Sequence, residues 1–591
     1  MGQSADDRLA LLRRAGCRAR ALARHPYWDP PDASWVVRRW PGLTALCCAT
    51  LFFWLSLTPS LVPRPWLLQG VIGGITASLG YAIGALLEWL ARLGLRPLCR
   101  RYIPWRPDAR WRARVWLAYY ALSAGLTIAA LSWSADAQRT LRRLQGLPET
   151  LTWHSMMIAL LALVLCGLLV ALARVIRLAT RELIRLLGRF VPRPLAIAVG
   201  VLVSATVVVF GTRDVVFDRG IIDVAARIAE NTDKGTKDGI IQSGSRYVSG
   251  SPHSLVAWND LGYEGRNFTG SSLSARRISK VTGERAIQPI RAYVGQESAP
   301  DFTSRARLAV RELERTGAFD REVLAIAGTT GRGWVNSTDA EPLEYMYGGD
   351  TAIVAVQYSY LPSWASFLVD KEQAGRANRA LVAAVRARWL EQRPDKRPKL
   401  VVFGESLGAY GIEAAFKGPD DLLAKVDGAL LAGPPNFSPI RQELTRRRDP
   451  GSPVWRPVYK EGRNFRFAQW PREDLRRPGP FADWKRPRVV YLQNASDAIV
   501  WWSPDLAFNP PRWLRRPLGP DITDSVNWFP LVTFWQTTVD MAVSYSVGAP
   551  HGHRYGNGSV EGWAAVAPPE GWTGADTARL QRFMDKREAP Y

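Results

Sequence analysis

The sequence predicts an α-helical membrane domain of five spans, followed by an α/β domain on a mostly parallel sheet covered by helices on both faces. Three observations carry this reading. Long apolar runs with Arg-rich flanks fill the first 211 residues, and no such run occurs later. From about residue 288, short Val/Ile/Leu-rich runs alternate with amphipathic stretches, the pattern of strands buried on both faces. The five cysteines (17, 47, 48, 99 and 166) all precede residue 212, so the second part rests on an ordinary large core and not on disulfides.

Charge locates the membrane part. The chain carries a net +24, the sign of a nucleic-acid binder, but residues 1–211 hold 26 Arg, no Lys and nine acids, a net +17. The basic excess therefore coincides with the apolar runs, as in membrane proteins, whose Arg and Lys mark the cytoplasmic side. A helix needs about 20 apolar residues to cross a bilayer. Residues 41–59, 66–90, 116–134, 156–176 and 194–211 meet that length. Their flanks alternate: eight Arg in the tail of residues 1–40, eight in 92–114 and six in 174–193, against one and three in the two intervening loops. This places the N-terminus in the cytoplasm and everything after Gly211 outside. Gly70 and Gly74, then Gly80 and Gly84, give the second span small-residue faces for close helix packing. No series of acids crosses the spans, which counts against a transporter.

Residues 212–285 are expected to connect the two parts. Apolar positions at helical spacing over 212–230 predict either an interfacial collar or a plain connecting helix, and 231–285, rich in Gly, Ser, Asn and Lys, read as extended loop. The α/β domain spans 286–591. Its strands are expected within 287–295, 322–328, 351–361, 399–404, 426–433 and 486–494, with helices over 301–317 and 371–392.

The run "VVFGESLGAYG" (401–411) ends a strand in Gly404-Glu405-Ser406-Leu407-Gly408, the G-x-S-x-G of a nucleophile elbow. With 49 glycines the pattern alone means little, but this one sits at a strand-to-helix corner, where the chemistry requires it. A nucleophilic Ser needs a base, the base an orienting acid, and the oxyanion N–H donors. Of five His only His551 and His553, in "GAPHGHRYG", come after Ser406, and either could be the base. Asp497 lies just past the strand "RVVYLQN", with Asp505, Asp521 and Asp540 as alternatives. The oxyanion donors expected are the amides of Leu407, after the nucleophile, and of Thr330 and Gly331 in "GTTGRGW". Neither a metal-type Cys spacing nor a nucleotide loop stands out, so no metal or cofactor is called for.

The runs "SLTPSLVPRPWLLQG" (56–70), "GTTGRGWV" (328–335), "QYSYLPSW" (357–364), "GSPVWRPVY" (451–459), "YLQNASDAIVWW" (491–502), "VTFWQTTVDM" (532–541) and "HGHRY" (551–555) join the elbow in one resemblance. The chain resembles a family of bacterial, often actinobacterial, multispanning membrane proteins with a C-terminal α/β-hydrolase domain. The resemblance implies that fold and a serine-hydrolase site at Ser406, Asp497 and His553. Family members commonly carry Pro after the Asp, where this chain has Ala498. The expected function is an integral membrane serine hydrolase, esterase- or lipase-like, acting outside the cytoplasmic membrane on a lipid or envelope glycolipid. An acyltransferase using the same residues is the alternative, and a non-catalytic lipid-binding scaffold is the rival from another class. The partners expected are the ester substrate and the bilayer, and no nucleic acid. Trp484, Trp501, Trp502, Trp513, Trp528 and Trp535, interleaved with Arg512, Arg515 and Arg516, read equally as lipid contacts or core.

Overall fold

The computed structural model describes residues 42–102, 108–151, 153–475 and 481–587, so the Arg-rich tail of 1–40 lies outside the described residues. The chain forms two compact units. The first holds the chain up to Gly211 together with 504–510 and 523–540, and the second holds the remainder. The sequence places all of 286–591 in one domain, and two pieces of that stretch belong to the first unit instead.

In the first unit, α1 (Leu43–Ser56), α2 (Trp66–Tyr102), α3 (Ala109–Leu144), α4 (His154–Leu187) and α5 (Arg193–Phe210) match the predicted runs. Among the described residues four helices are long and apolar enough to cross a membrane, not five. The exception is α1, with 14 residues. At a rise of about 1.5 Å per residue it covers roughly 21 Å of the ~30 Å hydrocarbon core. Its C-terminal limit comes from Pro59, which disfavours helical geometry at Thr58 and cannot donate to a helix. The α2 glycines lie at helix contacts: a Cβ on Gly84 would come 2.6 Å from the Thr44 carbonyl of α1, and one on Gly74 2.7 Å from Leu165 of α4. Such contacts are possible only for glycine. Beyond Phe210 the chain stays helical through a π-wound stretch, Gly211–Ile222, into Asp223–Asp233.

Between α1 and α2 the chain is non-helical yet buried, with Leu57, Ser60, Leu61, Val62 and Arg64 all at 2% exposure or less. Backbone polar groups in such a place need partners within the protein. Side chains supply them. Ser56 O accepts from Gln69 Nε2 at 2.8 Å, Leu57 O from Ser134 Oγ at 2.8 Å, and Leu61 O from Gln145 Nε2 at 2.8 Å. The rest comes from the helix Val532–Val543, whose Gln536 Nε2 donates to Thr58 O at 2.9 Å and whose Asp540 accepts from Leu61 N at 3.1 Å. Asp540 also pairs with the guanidinium of Arg64 at 2.5 Å, both side chains fully buried. That network joins 523–540 to the first compact unit.

In the second unit seven strands pair in parallel in the order β1-β3-β2-β4-β5-β7-β6. They are β1 (Ile290–Val294), β2 (Val323–Gly328), β3 (Thr351–Val356), β4 (Lys399–Glu405), β5 (Gly428–Ala432), β6 (Phe465–Ala468) and β7 (Arg488–Leu492). Five fall within the expected runs, β4 runs one residue past its own, and β6 is additional. It has four residues, and its Arg466 guanidinium lies 4.1 Å from the Trp484 ring centroid, so a charged residue occupies a position that pattern reading rejects. The stretch 231–285 is not extended loop but carries helices at Gly262–Gly270 and Ala275–Thr282. It covers the edge strand: Ser249 N donates to Arg291 O at 3.0 Å and Arg291 N to Tyr247 O at 3.1 Å. The Arg291 side chain, fully buried, pairs with Glu344 at 2.7 Å and donates to Phe268 O.

Candidate active site

Three strand ends build the site. After β4 the backbone turns at Ser406 with φ 55° and ψ −123°, a conformation costly for any non-glycine residue, and enters the helix Leu407–Glu413. The flanking glycines are required sterically. A Cβ on Gly404 would stand 2.6 Å from the Gly408 carbonyl carbon, and one on Gly408 would collide with the Gly328 carbonyl at the end of β2. Ser406 N donates to Ala432 O at the end of β5, 2.8 Å away, which ties the strained residue to the sheet.

Asp497 lies just after β7 and caps the short helix Ala498–Trp501, its Oδ1 accepting from Ile499 N at 2.9 Å. Its Oδ2 accepts from His553 Nδ1 at 2.6 Å and from Tyr555 OH at 2.5 Å. Asp497 and His553 are both fully buried, and among the described residues His553 Nε2 has no hydrogen-bond partner. The His553 ring lies over the end of β5, where a Cβ on Gly433 would be 2.7 Å from its Cε1. Ser406 and His553 therefore flank the same strand end, one bonded to Ala432 and the other against Gly433. Burial opposes the imidazolium, but the Asp497 charge and hydrogen bond outweigh it, with Glu405 adding, and hold His553 above its ordinary pKa.

The two histidines of "HGH" separate cleanly. His551 Nδ1 meets Asp521 Oδ2 at 2.9 Å, and that oxygen also accepts from Ser496 Oγ at 2.5 Å and Gln469 Nε2 at 2.9 Å. Ser496 Oγ in turn accepts from Gly552 N at 2.9 Å. Of the alternative acids, Asp521 thus serves His551, Asp540 serves Arg64, and Asp505 lies in the turn Pro504–Ala507 of the first unit.

The expected oxyanion donors fare unequally. Leu407 opens the helix, where its N–H has no carbonyl of that helix to reach. Thr330 is ruled out as a free donor, because its N–H is committed to Trp334 O at 3.1 Å inside the tight turn that also joins Gly333 N to Thr330 O at 2.9 Å. Gly331 sits in that turn against the helix Ser363–Val369, where a Cβ would come 2.7 Å from Ser366 Oγ.

Sequence reasoning missed Tyr555, Asn494 and Ser496. Asn494 Nδ2 donates to both Gly552 O and Arg554 O at 2.9 Å, clamping the His553 loop from either side. Asn494 and Ser496 lie in "YLQNASD" and Tyr555 in "HGHRY", so a signal was present, but polar residues beside an acid or a base carry no spacing rule that assigns them a partner. Beneath the elbow, Glu405 accepts from Asn336 Nδ2 at 2.6 Å. Burial raises its carboxyl, and burial together with the Glu405 charge pushes Asp339 well above the carboxylate range.

A parallel sheet with a strained Ser at a strand-to-helix corner, and an Asp–His pair at neighbouring strand ends, defines the α/β-hydrolase class. Family comparison agrees: the alpha/beta-hydrolase family matches residues 290–580, and the alpha/beta-hydrolase family N-terminus matches 57–272. The two cover most of the chain, which belongs to that family. No curated protein and no solved structure matches it.

Proposed function

We propose that this chain is an integral membrane serine hydrolase, esterase- or lipase-like, that cleaves an ester of a lipid or envelope glycolipid through an acyl-enzyme. The observation that carries the reading is the buried, unpartnered Nε2 of a His whose other nitrogen is held by Asp497, across one strand end from a strained Ser. Ser406 Oγ attacks the ester carbonyl while His553 Nε2 takes its proton. Asp497 fixes the tautomer that leaves Nε2 free to accept and stabilises the imidazolium. The Leu407 amide, with Gly331 as second donor, faces the oxyanion. The proton then passes from His553 to the leaving alkoxide. Water, deprotonated by the same nitrogen, hydrolyses the acyl-Ser406 ester. An alcohol in place of that water makes the protein an acyltransferase.

The four apolar helices make the N-terminal region membrane-associated. The nearest charge cluster sets the side on which the second unit lies. Six Arg in 174–193 place that loop in the cytoplasm, so α5 delivers the chain to the outer side whether or not α1 crosses. The bilayer is the natural source of an ester substrate for such a protein, since extracting a long chain into water costs about 0.8 kcal/mol per CH₂. The test is covalent labelling of the detergent-solubilised full chain by a fluorophosphonate. The reading expects labelling that Ser406→Ala removes. Labelling that persists in Ser406→Ala, or is absent from the wild type, sinks it.

A further inference from the structure

Two of the sequence runs that carry the resemblance, 328–335 and 357–364, enter the proposed reaction only through Gly331, and the structure joins them side chain to backbone. Gln357 follows β3 directly and is buried, and its amide is used on both sides. Its Nε2 donates to the Arg332 carbonyl at 3.2 Å and lies 3.2 Å from each oxygen of the Asp233 carboxylate. Its Oε1 accepts from Gln296 N at 3.0 Å, so turning the amide end for end would strand a donor. Asp233 closes the helix Asp223–Asp233 and accepts from Tyr263 N at 3.0 Å. The carboxylate that anchors Gln357 therefore comes from 212–285, the stretch that the sequence offers only as a connection.

What Gln357 holds is a chain of two peptide groups. In a trans peptide the C=O and the N–H point in opposite directions. The Arg332–Gly333 peptide has its carbonyl on Gln357, so its N–H points the other way and donates to Thr330 O at 2.9 Å. The Thr330–Gly331 peptide has its carbonyl on that N–H, so the Gly331 N–H points out of the turn. Among the described residues Gly331 N meets no acceptor. The contact leaves no slack: Gly333 has φ 89°, and a Cβ there would come 2.9 Å from Gln357 Cγ.

We propose that Gln357, anchored by Asp233, is a positioning residue for the oxyanion turn. Through the Arg332–Gly333 peptide it fixes the plane of the Thr330–Gly331 peptide, and so keeps the Gly331 N–H directed at the oxygen of the tetrahedral intermediate. The proposal rests on the serine-hydrolase reading and gives the 212–285 stretch a share in the site. A preorganised donor acts where charge develops, on the transition state and not on the bound ester. Loosening it lowers kcat, leaves KM in place and does not disturb His553.

The test uses the solubilised full chain and measures kcat and KM for a short-chain p-nitrophenyl ester, the pH limb of kcat/KM, and the melting temperature. It adds the inhibition constant of an alkyl trifluoromethyl ketone, which Ser406 would convert reversibly to an anionic hemiketal whose oxygen needs the same donors. Gln357→Met should lower kcat at least about 10-fold and raise the inhibition constant by a similar factor, with KM within about 2-fold and the pH limb unmoved. Asp233→Ala should show the same pattern at smaller amplitude, which guards against a Gln357 variant that fails to fold. Asp233→Asn, which keeps one acceptor oxygen and the volume, should recover most of the Ala loss. Wild-type kcat and ketone inhibition in folded variants, with only the melting temperature lowered, would show a merely structural contact and overturn the proposal. A loss that appears in KM or as a moved pH limb would overturn it too, by placing the effect on ester binding or on the base. Wild-type protein that neither labels with a fluorophosphonate nor turns over the ester would instead condemn the serine-hydrolase reading, so the two failures are distinct.

Discussion

Replacing Asp497 by Asn changes one oxygen to an amino group and almost nothing else in shape, which makes it a clean perturbation of the proposed base. The carboxylate accepts three hydrogen bonds: Ile499 N to Oδ1 at 2.9 Å, and His553 Nδ1 and Tyr555 OH to Oδ2 at 2.6 and 2.5 Å. The new amide must point its NH₂ at one side or the other. Aimed at Ile499 it strands a buried backbone donor, at a cost of about 1–3 kcal/mol. Aimed at His553 it finds two groups that can adapt, because the tyrosine hydroxyl can rotate to accept and the imidazole can shift its proton to Nε2. The second arrangement wins, and it puts the proton on the nitrogen that should receive one from Ser406. The charge that stabilised the imidazolium is lost as well. A misplaced tautomer in this class of site costs about 10⁴ in rate, or about 5.5 kcal/mol of barrier. The measurements are fluorophosphonate labelling and turnover of a short-chain p-nitrophenyl ester at pH 8, with melting as the control for folding. A folded Asn variant within about 10-fold of wild type would show that the Asp497–His553 pair is not the base, and the mechanism would have to be abandoned.

Ser406→Ala should abolish labelling and lower ester turnover by about 10³-fold or more, with melting near wild type. His553→Ala should inactivate, while His551→Ala, which loosens the Asp521–Ser496 contacts around the loop, should cost about 10-fold; the reverse order would move the base to His551. Because the Asp497 partnership raises the His553 pKa, kcat/KM should climb with pH through a limb above the ordinary value of 6.5. Tyr555→Phe, by removing a donor from Asp497, should push that limb higher still, and a limb unmoved by the substitution would exclude the shared oxygen. Glu413, buried on the elbow helix, has its carboxyl raised by burial to about 7. A raised acid favours the folded state below its unfolded value of 4.5 and loses that advantage as pH rises through about 7, so full-chain stability should fall by about 3 kcal/mol across that window. Glu413→Gln should flatten this slope whatever it does to the absolute melting temperature. A chain truncated to begin at Thr212 leaves the helix Val532–Val543 without Arg64 or the 56–61 carbonyls, so proteolysis near 523–545 should be far faster than in the full chain, and labelling should be weak. Full-rate labelling by the truncated chain would contradict this.

Much of the second unit was legible in the sequence because its signals are local. A strand buried on both faces must be a run of apolar residues, which fixed six of the seven strands. The elbow was legible because the tight turn crowds Gly404 against Gly408, and Gly408 against the Gly328 carbonyl at the end of β2, so both positions demand glycine. Asp497 was legible from its place after a strand. Spacing and position alone did not choose between two histidines two residues apart; His553 came only from the resemblance. That choice is made by which carboxylate each ring meets, and Asp521 and Asp497 come from segments 30 and 56 residues away. The Thr330 expectation failed for a similar reason. A Gly-rich turn offers several N–H groups, and which one closes the turn on itself depends on the fold and not on composition.

The first unit shows the deeper limit. Charge counting took Arg64 only as the single Arg of its loop, one of four on the sparse side, yet it is buried and paired with Asp540, 476 residues away along the chain. Read alone, Arg64 lies in a short Pro-flanked loop and Asp540 on an amphipathic helix, and each has a satisfactory explanation as a solvated charge. Only together do they account for the other oddities of both runs: a buried irregular backbone whose carbonyls need donors, and a helix with Gln536, Thr537 and Asp540 on its inward face. Each polar residue that looks misplaced in one run is the partner that the other run lacks. A helix patterned in this way cannot complete a hydrolase core, and an apolar bundle with an unpaired Arg64 would bear a buried charge costing several kcal/mol. The first unit is therefore completed by a contact network that leaves no periodic trace.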